Sequence, residues 1–182
     1  DLAKEIGYIY IDSGAMYRAV TLYCIEHGLF LADGSIDEDK LKQQMSNIHI
    51  SFRLDTESGR PRTFLNGTDV QNQIRTLEVS SHVSPVAALG FVREALVRQQ
   101  QELGEEKGIV MDGRDIGTTI LPNAEVKIYL TASADTRARR RALEYEQKGE
   151  PFDLDQIRKD IIERDERDMN REVSPLRQAD DA

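Results

Sequence analysis

The sequence contains one cysteine, Cys24, and no tryptophan. A single thiol excludes a disulfide framework and every paired-cysteine zinc motif, and it places the chain by expectation in a reducing cytoplasm. The three histidines, His27, His49 and His82, are scattered and form no ligand set. Neither His-Glu-x-x-His nor Gly-x-Ser-x-Gly occurs. No uncharged apolar run approaches the ~20 residues of a membrane-spanning helix, and no signal-peptide pattern opens the chain. A formal net charge of -9 over 182 residues argues against a general nucleic-acid or membrane-surface binder. The chain also has no initiating methionine. It opens at Asp1, inside a helix-like stretch that runs into a β-prone one, so a missing beginning is expected.

What is there is a globular composition, 39% hydrophobic and 31% charged, enough for one real core. Tyr8–Ile11, Ile109–Met111 and Val126–Leu130 are short β-prone runs separated by helical patterns, which predicts βαβ units and a parallel sheet covered on both faces. Residues 14–27 predict a helix ended by Gly28. Residues 85–103 predict another, with Ser84 as N-cap and Pro85 in the first helical position. Residues 134–148 predict a third, closed by Gly149, and a fourth starts near Asp153, with Gln156 arranged as in a capping box. Ile48, Ile50, Phe52 and Leu54 alternate with polar residues, and Asn66-Gly67 is a turn signal. Residues 47–70 therefore predict a small antiparallel insert.

Ligands of open α/β sheets bind beyond the carboxyl ends of the strands. Here those ends read Asp12-Ser13-Gly14 with Tyr17-Arg18 a turn later, Asp112-Gly113-Arg114-Asp115, and Thr131-Ala132-Ser133 leading to an arginine run. Caps and solvated charges explain any one of them; three together point to a site. Arginine outnumbers lysine 17 to 7, the preference expected where flat, two-pronged contacts to phosphate or carboxylate are made. Arg137, Arg140 and Arg141 share one helix face and repel one another unless an anion lies between them; Arg139 points elsewhere. Ile157, Ile161, Arg164, Asp168 and Arg171 form one stripe that begins apolar and ends charged, either an ion-pair network or the wall of a ligand cleft. Arg158, Asp165 and Glu166 fall off that stripe and are expected in solvent. His27 reads as a partner of a helix C-terminus and Cys24 as core.

Four segments together resemble the bacterial-type cytidylate kinases, a branch of the nucleoside monophosphate kinases. They are Asp12–Arg18, Val92–Leu96, Asp112–Thr118 and Glu163–Arg171, and the last two are the most specific. The resemblance runs over essentially the whole chain. It implies a P-loop-kinase-like α/β fold: a parallel sheet with helices on both faces, a small antiparallel monophosphate-binding insert and a helical lid. The core would comprise residues 1–46, 75–136 and 160–182, the insert 47–74 and the lid 137–159. The implied activity is transfer of the γ-phosphoryl of ATP to CMP or dCMP, with magnesium, in a cytoplasmic monomer with no nucleic-acid or membrane partner.

By position, the resemblance gives Arg18, Arg114 and Arg171 to the CMP phosphate and Ser13 to the nucleotide at the strand end. It gives Ser84, Arg93 and Asp115 to the cytosine edge, and Arg164 and Asp168 to the ribose. Arg137, Arg140 and Arg141 would reach the transferring phosphates, and Asp112 would stand near the magnesium shell, acting through water. One family feature does not occur: the Gly-x-x-x-x-Gly-Lys-Ser/Thr loop for ATP phosphates. It is expected ahead of Asp1, with Asp1–Gly7 as the end of the helix it opens, and a further strand is expected after Ala182. The 182 residues alone are therefore expected to be nearly inactive. Two other readings remain: a kinase for UMP or AMP on the same scaffold, and a non-catalytic arginine-rich binding module. The acidic balance and the scarcity of clustered aromatics argue against an RNA-binding version of the latter.

Overall fold

The chain divides into two compact units, Asp1–Gly113 and Arg114–Ala182. The computed structural model describes residues 2–182; the helix end expected from Asp1 appears as α1 (Leu2–Glu5), with Asp1 itself outside the described residues. In the first unit β1 (Ile9–Asp12) turns directly into α2 (Ser13–Glu26). The turn is abrupt because Asp12 serves both elements. It ends the strand, and its Oδ1 accepts from the Ala15 amide at 3.3 Å as the helix N-cap. Helix α2 is the centre of the core: Ala15, Met16, Ala19, Val20 and Cys24 are buried. It stops where Gly28 enters the left-handed region at φ 61.

After α3 (Glu38–Gln44) comes a three-stranded antiparallel sheet of β2 (Ile50–Asp55), β3 (Arg60–Leu65) and β4 (Thr68–Asp69), within the expected insert. The Asn66-Gly67 turn joins β3 to β4 with both residues at positive φ, 49 and 82. The inward face fades along β2: Ile50 is buried, Phe52 is half-buried and Leu54 is exposed. The Gln99 side chain behaves like one more strand residue, accepting from the Ile50 amide at 3.1 Å and donating to the Ile48 carbonyl at 3.0 Å.

The helix expected over 85–103 is two helices, α4 (Leu77–Ala88) and α5 (Gly90–Glu105). Thr76, not Ser84, is the cap, its hydroxyl accepting from the Val79 amide at 3.4 Å. Ser84 and Pro85 lie inside α4. Pro85 has no amide hydrogen for the carbonyl one turn back, and α4 ends three residues later, where Leu89 is extended. Strand β5 (Ile109–Asp112) then pairs in parallel with β1, Ile9 opposite Ile109 through Asp12 opposite Asp112.

The second unit opens on a single π-helical turn, Ile116–Ile120, and continues to α6 (Ala134–Lys148) and α7 (Leu154–Asn170). Ser133 caps α6, and Gly149 ends it at φ 69. Asp153 caps α7 by accepting from the Asp155 and Gln156 amides. The reciprocal half of a capping box does not form, because the Gln156 side chain donates forward through Nε2 to Asp160 at 2.7 Å. The strand expected at Val126–Leu130 also does not form. The segment joins no ladder among the described residues, and Val126, Ile128 and Leu130 stand exposed. An extended segment without a hydrogen-bonded neighbour has nothing to make it a strand. The parallel sheet is thus the β1–β5 pair, and with the antiparallel sheet and the helices it makes a mixed α/β architecture consistent with the P-loop kinase fold.

Candidate functional site

In the first unit the parallel strands end side by side on Asp12 and Asp112. Asp12 Oδ2 accepts from Arg18 Nη2 at 2.8 Å and lies 3.7 Å from Arg75 Nη2. The Arg18 Nε is buried and has no acceptor. Ser13, half-buried, opens α2 beside this cluster. A Cβ on Gly14 would stand 3.0 Å from Asp12 Oδ1 and 3.7 Å from Arg18 Nη1, so a larger residue there would press on the cap. On the other strand end, the Tyr10 hydroxyl bonds the Asp112 carboxylate. Burial, then the Asp112 charge and that hydrogen bond, push the phenol well above its usual value, so it remains a donor.

Arg93 of α5 lies over the Tyr17 ring, 5.8 Å from its centroid, and donates to the Ala87 carbonyl at 3.4 Å, which holds it at the α4–α5 break. Ser84 is exposed on α4. Cys24 and His27 stand as expected. Burial pushes the Cys24 thiol up to about 12. His27 caps α2, its Nδ1 2.9 Å from the Tyr23 carbonyl and its ring stacked on Tyr23.

In the second unit the predicted ligands gather into two carboxylate-centred groups. Arg114 Nε donates to Asp168 Oδ2 at 2.9 Å, and Arg164 Nε is 3.9 Å from the same oxygen. Asp115 Oδ2 lies 3.5 Å from Arg171 Nη2, and Arg171 Nε donates to the Ser174 carbonyl at 2.6 Å. The π-helical turn follows Asp115 at once, its carbonyl accepting from the amides of Thr119 and Ile120. Two guanidiniums on one carboxylate leave net positive charge, the condition for an anion to join them. The α7 stripe is half-buried at Ile157, Ile161, Asp168 and Arg171, while Arg164 is exposed.

The arginine face of α6 is not three bare charges. Arg137 grips Asp165 with both terminal nitrogens, and Arg141 pairs with Glu144 at 3.2 Å; Arg140 is exposed. The hydrogen bond from Arg137 holds the Asp165 carboxyl below the usual carboxylate range, and the same bond raises Arg137. Arg158, Asp165 and Glu166 were expected in solvent. Arg158 and Glu166 are exposed, Arg158 pairing with exposed Asp135, but Asp165 is half-buried and holds Arg137, because a stripe drawn along one helix does not show which side the neighbouring helix covers. From sequence Asp12 is one of the polar strand ends but has no role of its own, and Tyr10 and Arg75 are not singled out. Asp12 had a signal, since an acid between a strand and a helix marks a cap; Arg75 had none.

Among the described residues no three histidine, cysteine or carboxylate side chains stand close enough to hold a metal ion, and no helix is long and apolar enough to cross a membrane. The sequence matches the family model described as cytidylate kinase over residues 1–182. It is 64% identical to a cytidylate kinase of Bacteroides fragilis over 182 residues, all of this chain and 79% of the relative, and equally similar to that of Phocaeicola vulgatus. A cytidylate kinase of Flavobacterium psychrophilum is 46% identical over 181 residues, 100% of this chain and 80% of the relative.

Proposed function

The chain belongs to the cytidylate kinase family, and from that membership we infer that it transfers the γ-phosphoryl of ATP to CMP or dCMP, leaving ADP and the nucleoside diphosphate. The whole-chain match carries this reading. The arginine–carboxylate groups at Arg18, Arg114 and Arg171 support it. Phosphoryl transfer asks little covalent chemistry of the protein. It needs two nucleotides held in line, charge on the transferring group neutralised and water excluded.

On this reading Arg18, Arg114 and Arg171 bind the CMP phosphate, each already pre-set by a carboxylate or carbonyl partner that fixes its rotamer. Ser13 assists at the strand end. Ser84, Arg93 and Asp115 read the base: Asp115 accepts from the cytosine 4-amino group, and Arg93 donates to N3. Uracil reverses the polarity at both positions, and an unmatched buried polar group costs about 1–3 kcal/mol. Arg164 and Asp168 contact the ribose. Residues 47–74 form the monophosphate-binding insert and 137–159 the lid, whose Arg137, Arg140 and Arg141 turn toward the phosphates when it closes.

Magnesium fits only indirectly. Asp112 is an exposed carboxylate at a strand end, held by Tyr10, and among the described residues it belongs to no group of three side chains that could hold a metal ion. Asp112 would therefore hold the ion through water, the phosphates supplying the direct oxygens. The ion's contribution is to neutralise phosphate charge. We assign the enzyme to the cytoplasm as a monomer acting on free nucleotides, with neither nucleic acid nor membrane as partner.

The test is a coupled assay of the full-length enzyme with ATP and magnesium. CMP is expected to give the highest kcat/KM and UMP and AMP much lower values. Turnover of AMP or UMP in preference to CMP would sink the assignment.

A further inference from the structure

Arg75 sits in Gln73-Ile74-Arg75-Thr76, where nothing in the pattern singles it out. The fold fixes its position from both sides. Gln73–Arg75 is a 3-10 turn, and Ile74 within it is completely buried. Thr76 follows, its hydroxyl donating to the Gln73 carbonyl at 2.9 Å while capping α4. The backbone under Arg75 is thereby held, while its side chain is 54% exposed.

The Arg75 head reaches the carboxyl end of β1. Its Nη2 lies 3.7 Å from Asp12 Oδ2, the same oxygen that accepts from Arg18 at 2.8 Å. Asp12 is already committed: Oδ1 caps α2 and Oδ2 is bonded to Arg18. At 3.7 Å Arg75 makes an ion pair with it but no proper hydrogen bond, so its donors remain available. The Arg75 charge also acts on the Tyr10 hydroxyl, which places it within the strand-end cluster. Two guanidiniums meet at one carboxylate oxygen, and one of them, Arg18, has a buried Nε with no acceptor. That group is completed by an anion with several acceptor oxygens, which a phosphate monoester supplies.

We propose that Arg75 is a second phosphate-binding arginine of the first unit, gripping the CMP phosphate together with Arg18 while Asp12 sets the spacing of the two guanidiniums. The proposal rests on the CMP-kinase reading and adds to it a residue that the family resemblance did not supply.

The test compares wild-type, Arg75→Ala and Arg75→Lys full-length enzyme for binding of CMP and of cytidine by calorimetry, with KM for CMP and ATP from steady-state kinetics. Arg75→Ala is expected to weaken CMP about 10- to 100-fold. Cytidine affinity and KM for ATP are expected to stay within about twofold, and Arg75→Lys to recover part of the loss because it keeps the charge but not the fork. Unchanged CMP affinity overturns the proposal. So does an equal loss for CMP and cytidine, which marks a merely structural role, or a rise confined to the KM for ATP. A wild-type enzyme that ignores CMP would instead overturn the kinase assignment, and the two failures are thereby separable.

Discussion

Asp115 shows how much one carboxylate decides. It lies 3.5 Å from Arg171, and both side chains are largely buried, 12% and 22% exposed. Asp115→Ala is expected to reduce the CMP-over-UMP ratio of kcat/KM about tenfold or more, with little change in KM for ATP. An unchanged ratio would remove Asp115 from the base site. Asp165 carries a pH signature instead. Its carboxyl is held below the usual range by Arg137. The pair's stabilisation is therefore complete above the unfolded value of about 3.9 and lost as pH falls through the lower folded value. Asp165→Asn should cost about 1 kcal/mol in urea denaturation at neutral pH, and the gap to wild type should close in acid. Cys24 is the inert counterpart. With its thiol pushed up to about 12 by burial, a thiol reagent at pH 8 should label it only after denaturation; fast labelling of the native protein would contradict the packing of α2.

At the scale of elements, local chemistry accounts for most boundaries. Asp12, Asp37, Ser133 and Asp153 cap the helices they precede, and Gly28 and Gly149 end theirs. The Asn66-Gly67 turn offers a clean measurement. A Cβ on Gly67 would meet nothing within 4 Å, so the cost of Gly67→Ala is the backbone strain at φ 82 alone, about 1 kcal/mol by urea denaturation. Two elements escaped their local signals. Ser84-Pro85 has the form of a helix start, yet Thr76 captured that role because the apolar positions Val79 and Val86 pull the preceding turn into the core. Val126–Leu130 has a strand's composition but no ladder partner among the described residues, and composition cannot provide one.

For the whole molecule, a net charge of -9 coexists with arginines held by carboxylates at both strand ends and along α7. The Asp168 group, with two arginines on one carboxylate, is locally positive against that acidic total. Saturating CMP should therefore raise the melting temperature of the full-length enzyme, by about 2.7 kcal/mol of stabilisation at a concentration one hundred times Kd, while AMP at that concentration should do much less. Equal shifts with both nucleotides would show a phosphate site without base selection.

The sequence by itself determined the α/β class, the antiparallel segment, the helix ends at Gly28 and Gly149, and the strand-end and stripe positions of Arg18, Arg114, Asp115, Arg164, Asp168 and Arg171, because those depend on near-neighbour spacing and residue chemistry. Only the tertiary structure decided which charges meet. The partners Asp165 of Arg137, Asp168 of Arg114 and Asp12 of Arg75 stand 28, 54 and 63 positions away in the chain. Helical or strand periodicity orders residues along one element. It contains no term for the element packed against it, and in this chain that neighbour decides whether an arginine is solvated, paired or left with donors to offer a phosphate.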